Sequence, residues 1–510
     1  MQKLKADIVV MGSGGAGLTA ACECLDNGAS VICFEKRPFQ AGSVSNCAIG
    51  VSAVRNDPKY QAKAFSKIFN YTNYAADPGV IKAWINNTWR ILPFFDKIGM
   101  KYVLREETPY EKIGNPDKPG GFPPETRVGD SYFMVGRGKG HGAAIVALQS
   151  RRYFEKNGGQ FFVDTPVVDI FTENGKVCGV LAKHNKTGEE YQVECKAVIV
   201  ATGGFGNDRE MIKKYIGHTY TDNDCSDGGD VLFNFFPTET MTGDGHKLCW
   251  KLGGAKGGMG INGHNLVPGP GIIGNTPWIS FDETRVMEEQ PYLWINKNGE
   301  RFVDESQSSN HMAMGTSIAR QPGKMGYILY DDDTREYLET HGPDFEYFIF
   351  QADHLHDIKG QFERLERIGN KHAFMTDTLE ELAEKAGIDK EGLLKNVERY
   401  NYYCDQGRDG DFSKDAKYMR PVRKGPFYAL RVFNAGYSTV GGIKVNGRME
   451  VITDEGKPIP GLYSAGDCMV GELWGNPPVG GIGNYSHALG FGFAAADSAL
   501  EYVGLKEEVL

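Results

Sequence analysis

The residues best suited to bind a ligand stand near the start of the chain, in the segment Gly12-Ser13-Gly14-Gly15-Ala16-Gly17. An apolar run, Ala6 to Met11, precedes this segment, and a stretch with helical spacing follows it. A strand, a glycine turn and a helix in this order leave backbone N–H groups at the positive end of the helix, where a pyrophosphate binds. Gly12 is expected to form the tight turn, Gly14 to admit the phosphates, and Gly17 to let the helix pack on its strand.

A carboxylate, Glu35, follows the second predicted strand, Val31 to Phe34. An acidic side chain at a strand end, about 20 residues beyond such a glycine loop, accepts hydrogen bonds from ribose hydroxyl groups. Glycine turns alone are common, but a turn between a strand and a helix with an acid at this distance is specific. The sequence therefore predicts a dinucleotide site built from the glycine loop and Glu35.

Size and composition exclude several classes of protein. A chain of 510 residues is expected to form two domains, or one large domain that carries an inserted one. A net charge of -10 without a cluster of Lys and Arg argues against nucleic-acid binding. No apolar stretch reaches the roughly 18 residues of a membrane span and no leader is recognised, so a cytoplasmic location without membrane insertion is predicted. The ten cysteines lack metal-site spacing, so reduced thiols and no metal are predicted.

The order of predicted elements indicates an α/β chain with an insertion. Short β runs between about 160 and 202, with hairpin signals at Asn174-Gly175 and at 186–188, predict an antiparallel β-meander. Residues 263–430 have mixed composition and helical stretches but no phosphate-binding motif, and strand-then-glycine segments resume after them. We therefore expect a dinucleotide-binding domain in two parts, 1–262 and 431–510, with 263–430 inserted as a second domain.

Several short motifs occur in an order that is typical of one family. They are Glu35-Lys36-Arg37, Gly42 to Ala48, Ala201 to Gly204, Thr242 to Gly245, Asn296 to Phe302 with Glu305, Gly441-Gly442, and Gly466-Asp467. In these motifs the chain resembles, over nearly its whole length, the FAD-dependent oxidoreductase 2 superfamily of fumarate reductase and succinate dehydrogenase flavoproteins and 3-ketosteroid dehydrogenases. The resemblance implies a Rossmann-like FAD-binding domain of the glutathione-reductase type with a β-meander, and an inserted α+β capping domain that contacts substrate.

The resemblance also implies how FAD is held. Respiratory members attach FAD covalently through a histidine in the segment that corresponds to 43–48, and this chain has none there, so non-covalent FAD is expected. A separate NAD domain is not expected, because the glycine-rich segment 253–258 follows a helix-like run and not a strand. Asp467 stands where the family usually has Glu. The implied cofactor-binding residues are Gly12, Gly14, Gly15, Ala16, Gly17, Glu35, Lys36, Gly42, Ser43, Ala201, Thr202, Gly203, Asp244, Gly466, Asp467, Gly483 and Asn484.

On the substrate side the chain departs from the fumarate and succinate enzymes, which hold a dianion with His and Arg. At three of the family's cationic or imidazole positions this chain has Ser309, Ser438 and a proline of the Pro477-Pro478 pair. Fumarate and succinate are therefore not expected as substrates. The turn from Pro478 to Gly483 is more similar to the ketosteroid branch, which implies a neutral or weakly charged, partly apolar substrate such as an enone, a steroid or an aromatic enoate.

Reaction at a C=C bond beside an electron-withdrawing group needs hydride exchange with the flavin N5 and a proton donor or base at the neighbouring carbon. Tyr437 and Tyr132 are candidates for the proton, although for any one tyrosine a packed ring with a hydrogen-bonded hydroxyl is the alternative. His141 and His264 are further candidates. Arg137 is a candidate to orient a substrate carbonyl, with a solvated basic loop as the alternative.

The predicted function is an FAD-dependent ene-reductase or dehydrogenase of CH–CH groups that uses an external electron donor or acceptor, including a redox protein. One alternative is a 3-ketosteroid dehydrogenase proper, with a tyrosine across an apolar pocket from N5. The other is the flavoprotein subunit of an iron-sulfur electron-transfer complex, whose cluster would belong to another chain because the Cys spacing here excludes one. The sequence leaves the direction of reaction open.

Overall fold

The structure of the chain is a computed structural model. It describes residues 1–40, 48, 50–104, 128–135, 142–215, 241–268, 287, 290–308, 314–315, 317–318, 320–345, 355–474 and 484–507. The prediction of a mixed α/β chain is confirmed, since strands and helices alternate through these ranges and the strands form several sheets. Among the described residues, none of the helices combines the length and the hydropathy that a bilayer crossing requires.

The bounds of the elements are as follows. The strands are β1 Gln2–Lys5, β2 Ile8–Met11, β3 Val31–Phe34, β4 Gly50–Ala53, β5 Tyr102–Leu104, β6 Asp130–Met134, β7 Gln160–Phe162, β8 Val167–Glu173, β9 Lys176–Lys183, β10 Glu190–Glu194, β11 Ala197–Val200, β12 Lys256–Pro268, β13 Leu293–Ile295, β14 Met325–Tyr330, β15 Ala373–Thr376, β16 Phe427–Ile443, β17 Glu450–Ile452 and β18 Pro458–Ser464. The α-helices are α1 Gly15–Asp26, α2 Pro58–Tyr71, α3 Pro78–Thr88, α4 Ile91–Ile98, α5 Gly142–Lys156, α6 Arg209–Tyr215, α7 Asp244–Lys251, α8 Asp332–His341, α9 Ile358–Arg367, α10 Leu379–Ala386, α11 Lys390–Gln406, α12 Gly471–Trp474 and α13 Asn484–Val503. Short 3-10 turns lie at Glu305–Gln307, Pro322–Lys324, Ala416–Tyr418 and Gly466–Cys468.

The central sheet has the strand order β17-β18-β11-β2-β3-β7. Its middle strands run parallel, and every residue of β2, β3 and β11 is buried, because helices and other sheets cover both faces. Helix α13 packs on α1 so closely that a Cβ at Gly492 would lie 2.6 Å from the carbonyl oxygen of Ala16. Because β2, β3, β11 and β18 run parallel, the loops that follow them leave the sheet at the same edge.

The predicted meander is confirmed as the antiparallel run β8-β9-β10, which β1 extends to the sheet β1-β10-β9-β8. The turn between β8 and β9 is Asn174-Gly175, and both residues have positive φ, 51° and 76°. That backbone conformation matches the right-handed twist of the two strands, which is why the Asn-Gly pair was informative.

A third sheet joins β12, β16, β14 and β13, with β15 also paired to β16. Alternate residues of β14 belong to different apolar clusters: Tyr327 and Leu329 pack on one face, and Ile328 and Tyr330 on the other. Helices α10 and α11 cover the first face, and they lie within the region 263–430 for which helical stretches were predicted. Both predicted domain boundaries, 262/263 and 430/431, lie inside strands of this sheet, and the division of the chain at these points stays a prediction.

A buried cluster of charged side chains ties the turn after β13 to the segment after α11. The guanidinium of Arg301 donates to both carboxylate oxygens of Glu305, at 2.8 and 2.6 Å, and to both of Asp409, at 2.7 and 2.9 Å. The ammonium of Lys414 lies 3.4 Å from Glu305 and donates to the hydroxyl of Tyr400 at 3.0 Å. We call these four charged residues the Arg301 cluster; two positive and two negative groups balance one another inside the protein.

Candidate functional site

A cleft that is open to solvent lies where the loops after β2, β3, β11 and β18 leave the central sheet. The carboxyl ends of parallel strands are the usual place for a ligand in such a sheet. Most of the cofactor-binding residues predicted from the sequence line this cleft, although they are far apart along the chain. These are Gly12, Gly14, Gly15, Ala16, Glu35, Lys36, Ala201, Thr202, Gly203, Asp244, Gly466 and Asp467.

The remaining predicted cofactor residues do not line the cleft or are not described. Gly17 lies in the first turn of α1, behind the cleft wall, and Asn484 begins α13. Gly42, Ser43 and Gly483 lie outside the described residues.

The glycine loop leaves no room for side chains. Gly12 has φ 94°, and a Cβ at this position would lie 2.5 Å from the carbonyl oxygen of Ala201. A Cβ at Gly17 would lie 2.0 Å from the carbonyl oxygen of Gly12, so α1 can pack on β2 only with glycine there. Gly14 is the N-cap of α1 and provides no capping side chain. The first N–H groups of α1 are thus directed to the cleft, where the helix dipole favours an anion.

Glu35 directly follows β3, and its carboxylate accepts three hydrogen bonds from the protein. Its Oε2 accepts hydrogen bonds from the backbone N–H and the hydroxyl of Ser13, at 3.0 and 2.7 Å, and Oε1 accepts from the N–H of Arg37 at 2.9 Å. A carboxylate has about four acceptor positions, so one remains for a sugar hydroxyl. The three protein hydrogen bonds fix the orientation of the carboxylate before any ligand binds.

Lys36 and Asp244 form an ion pair across the cleft wall. The ammonium of Lys36 donates to Asp244 Oδ2 at 2.8 Å and to the hydroxyl of Thr242 at 2.6 Å. Burial acts to raise the pKa of Asp244, but hydrogen bonding and charge from Lys36 outweigh it, so this pKa lies below the ordinary value of 3.8. The sequence singled out both residues, but their pairing became visible only in the structure.

Helix α13 contributes two contacts that the sequence analysis missed. Nε2 of His487 lies 2.8 Å from Oδ1 of Asp467, and the imidazole is fully buried. The ring of Tyr485 packs under the glycine loop, where a Cβ at Gly15 would lie 2.7 Å from it. Neither residue belongs to a recognisable motif, and only the packing of α13 on α1 brings Tyr485 against the glycine loop and His487 against Asp467.

A second buried histidine, His246 on α7, was also missed. Its ring packs edge-on against Phe205 and Trp250, with centroids 5.4 and 5.5 Å away. Within the described ranges neither ring nitrogen has a hydrogen-bond partner. Burial lowers the pKa of His246 to about 4, although the carboxylates of Asp244 and Asp467 act in the opposite direction. This imidazole is therefore neutral near physiological pH.

The described residues fit the dinucleotide that the sequence predicted. The glycine loop leaves no room for a Cβ, and the N-terminus of α1 faces the same space. The carboxylate of Glu35 keeps one acceptor position there. Backbone donors for a pyrophosphate and a carboxylate for a ribose are the two groups that an ADP moiety needs. The segment 253–258, by contrast, connects α7 to β12, as predicted, and carries no strand before it.

Two of the five predicted catalytic residues come together on one pair of strands. In the β12–β16 ladder His264 pairs with Gly436 and Gly263 pairs with Ser438, so Tyr437 is the extra residue of a β-bulge next to His264. Only the backbone is described at Tyr437 and His264. Bulges are frequent beside active sites because they redirect a side chain out of the regular alternation.

The other candidates are placed elsewhere or are not described. Tyr132 lies on β6, between β4 and β5, and packs edge-on against Tyr102 at 5.9 Å. It does not line the cleft. Arg137 and His141 lie outside the described residues.

Glu472 on α12 lies against β12, where a Cβ at Gly257 would be 2.0 Å from its Oε1. Burial raises the pKa of Glu472 to about 6, Lys444 acts to lower it, and Asp77 acts to raise it. Glu472 does not line the described cleft.

The parallel sheet, the glycine cradle and the strand-end carboxylate define a dinucleotide-binding α/β protein. Comparison with known proteins narrows this class. The chain belongs to the FAD binding domain family, whose model matches residues 7–483. The membership that the sequence motifs indicated is thereby confirmed.

Relatives of the chain include both reductases and dehydrogenases. Vinyl phenol reductase of Lactiplantibacillus plantarum is 26% identical over 481 residues, which cover 91% of this chain and 90% of that protein. Fumarate reductase (cytochrome) of Shewanella frigidimarina is 27% identical over 505 residues, covering 97% and 77%. The structure of 3-ketosteroid delta1-dehydrogenase from Sterolibacterium denitrificans superposes with a TM-score of 0.75 at 18% identity, covering 97% and 99%.

These findings confirm the predicted class of reaction. The chain is an FAD-dependent oxidoreductase that acts on CH–CH or C=C groups.

Proposed function

We propose that the chain reduces a C=C bond conjugated to an aromatic ring or a carbonyl group, in a substrate without a second carboxylate. The proposal is supported by the cleft, whose lining residues fit a flavin dinucleotide, and by the similarity to a vinyl phenol reductase over nearly the full length of both proteins. The sequence itself argues against fumarate, since Ser309, Ser438 and Pro478 replace groups that would bind a dicarboxylate.

The single observation that carries the proposal is the bulge at Tyr437. Bound FAD supplies or accepts a hydride at N5. Reduction of the C=C bond then needs a proton at the second carbon, and the hydroxyl of Tyr437 is our candidate to hold that proton at Oη. His264, at the neighbouring register position, is the candidate to orient the tyrosine or to return a proton to it.

FAD is proposed to bind without a covalent bond, in an FAD domain of the glutathione-reductase type that comprises 1–262 and 431–510. Residues 263–430 are proposed to cap the substrate. Electrons are proposed to come from an external donor, because the glycine-rich segment 253–258 lacks the strand that a nicotinamide-binding loop requires. If acid precipitation of the holoprotein kept the flavin in the pellet, covalent attachment would be established and the first statement would be wrong.

Reoxidation of the reduced enzyme tests the substrate class. The purified holoprotein is photoreduced without oxygen and mixed separately with 4-vinylphenol, an aromatic enoate, cyclohexenone, a 3-ketosteroid and fumarate, while flavin absorbance is followed. We expect reoxidation by a conjugated aromatic alkene or enone at a rate at least about 100-fold above that with fumarate, since a missing ionic clamp costs several kcal/mol. Reoxidation by fumarate alone would refute the proposal.

Substitution tests the proton donor. Y437F is expected to slow reoxidation by about 100-fold or more while FAD stays bound, because general acid catalysis contributes at least this much. Tyr428 lies on the same strand, and its hydroxyl donates to Asp332 at 3.0 Å away from the cleft, so Y428F is the matched control and should keep the wild-type rate. Equal rates for Y437F and wild type would transfer the role to another residue.

A further inference from the structure

Asp467 and His487 form a hydrogen-bonded pair at the wall of the cleft. Asp467 lines the cleft, whereas the side chain of His487 is fully buried behind it on α13. Their contact, Nε2 to Oδ1 at 2.8 Å, links two residues that are 20 positions apart, one in the 3-10 turn Gly466–Cys468 and one in α13. A carboxylate only accepts hydrogen bonds, so Nε2 of His487 carries the hydrogen.

The geometry leaves the second oxygen of Asp467 available to a ligand. Among the described residues no donor contacts Oδ2, and the side chain is still 11% exposed at the cleft. A short side chain held at one oxygen loses rotational freedom before the ligand arrives, which lowers the entropy cost of binding. In metal sites, hydrogen bonds from groups that lie behind the ligands orient those ligands in the same way.

We infer that His487 is a positioning residue for FAD: its hydrogen bond to Oδ1 holds Asp467 so that Oδ2 receives a hydroxyl group of the bound dinucleotide. This inference rests on the proposed binding of FAD in the cleft. It does not depend on the substrate. The neighbouring residue Ala488 lines the cleft as well, so the first turns of α13 form part of the cofactor site and do more than support α1.

Titration of the apoprotein with FAD, followed by quenching of flavin fluorescence, tests the inference. H487L removes the donor and is expected to raise the Kd for FAD about 10-fold, since a hydrogen bond to a charged group contributes at this level. H487Q keeps an N–H donor of similar reach, and its Kd should stay within about 3-fold of wild type. The melting temperature of each apoprotein is measured in parallel, because a residue needed only for packing would lower it.

Ser486 provides the matched control on the same helix. It is buried, and its hydroxyl accepts a hydrogen bond from the N–H of Ser52 at 2.6 Å, away from the cleft. S486A therefore removes a buried hydrogen bond of α13 and should leave the Kd for FAD unchanged. An equal increase of the Kd in S486A and H487L would show a general weakening of the helix and would overturn the inference.

A double-mutant cycle with Asp467 assigns the effect to the pair. When D467A is already present, H487L should change the Kd less than about 2-fold, because there is no carboxylate left to position. Independent, additive effects would overturn the inference. If H487L gives no folded apoprotein, D467N and D467N/H487Q decide instead: equal Kd values support the positioning role, and additive ones contradict it. Wild-type FAD binding without any C=C reduction would refute the proposed function and leave this inference intact.

Discussion

The Arg301 cluster and the charged lining of the cleft are built from the same residue types, yet they differ in what surrounds them. In the cluster the side chains of Arg301, Glu305 and Asp409 are at most 3% exposed, and their charges are satisfied by one another. In the cleft Lys36 and Asp244 remain 24% and 34% exposed and face open space. The buried charges of the Arg301 cluster hold two segments of the chain together, whereas the partly exposed charges of the cleft remain accessible to a ligand.

The difference also appears in how each set is satisfied. Asp409 accepts from Arg301 and from the backbone N–H groups of Asp411, Phe412 and Lys414, which uses its acceptor positions. In the cleft, Glu35 and Asp467 each keep a position without a donor among the described residues. The comparison therefore predicts that substitutions in the cluster lower stability, and that substitutions in the cleft lower cofactor affinity.

The largest effect is expected from R301M. Removing the guanidinium leaves the carboxylates of Glu305 and Asp409 buried together without their main cation, so the free energy of unfolding should fall by about 3–5 kcal/mol. Urea denaturation of the apoprotein measures this. R364M is the control, because Arg364 pairs with Asp357 at the surface, where the side chains are 40% and 64% exposed, and its loss should cost less than about 1 kcal/mol. Similar losses in both variants would contradict the distinction.

G17A is expected to act mainly on the cleft. The added Cβ would lie 2.0 Å from the carbonyl oxygen of Gly12, so α1 must move away from the glycine loop and its N–H groups leave their positions. We expect the Kd for FAD to rise about 100-fold, equivalent to about 2.7 kcal/mol. G456A, in a surface turn where a Cβ meets nothing within 4 Å, controls for glycine substitution in general and should keep wild-type affinity. If G17A bound FAD with wild-type affinity, the glycine loop would not be part of the cofactor site.

Part of the pH dependence of stability should come from the cluster. Burial acts to raise the pKa of Asp409, but Arg301 and the backbone N–H groups of Asp411 and Lys414 outweigh it and hold the pKa at about 2, against 3.8 for an unperturbed side chain. A depressed pKa stabilises the folded state above the unfolded value, and this contribution is lost as pH falls from about 4 to about 2. The difference in unfolding free energy between wild type and D409N should therefore shrink by about 2 kcal/mol over that range.

Urea denaturation at a series of pH values measures this difference. The exposed Asp454 provides the control, since D454N should follow the wild-type curve throughout. A constant difference between wild type and D409N would mean that Asp409 does not titrate as its contacts require.

The sequence predicted the parts of the site that depend on backbone geometry. Gly12 and Gly17 are glycines because neighbouring carbonyl oxygens occupy the place of a Cβ, and such a requirement shows in the sequence as an invariable spacing of strand, turn and helix. The Asn174-Gly175 hairpin was predictable for the same reason, because both residues need a positive φ.

The pairs that complete the site were not predictable, because tertiary packing alone creates them. Lys36 meets Asp244 across 208 residues of sequence, and no local pattern links the two. His487 lies inside an apolar helix, where a histidine is usually explained by packing. The bulge that sets Tyr437 apart depends on the register between β12 and β16, and a sequence carries no record of register in a strand of 17 residues.

K36M is expected to have the smallest of these effects. It also distinguishes most clearly between the charges of the cleft and those of the Arg301 cluster. Removing the Lys36 ammonium leaves the carboxylate of Asp244 without its cation in the cleft where we propose that the pyrophosphate of FAD binds, so the Kd for FAD should rise about 5-fold to 10-fold. Because the remaining repulsion is screened by salt, raising the ionic strength should tighten binding in K36M and not in wild type. Lys251 pairs with Asp169 on the outer side of α7, and K251M should leave both quantities unchanged. If K36M lowered stability and kept its FAD affinity, the pair would belong with the Arg301 cluster, and exposure would be a poor guide to which charges serve a ligand.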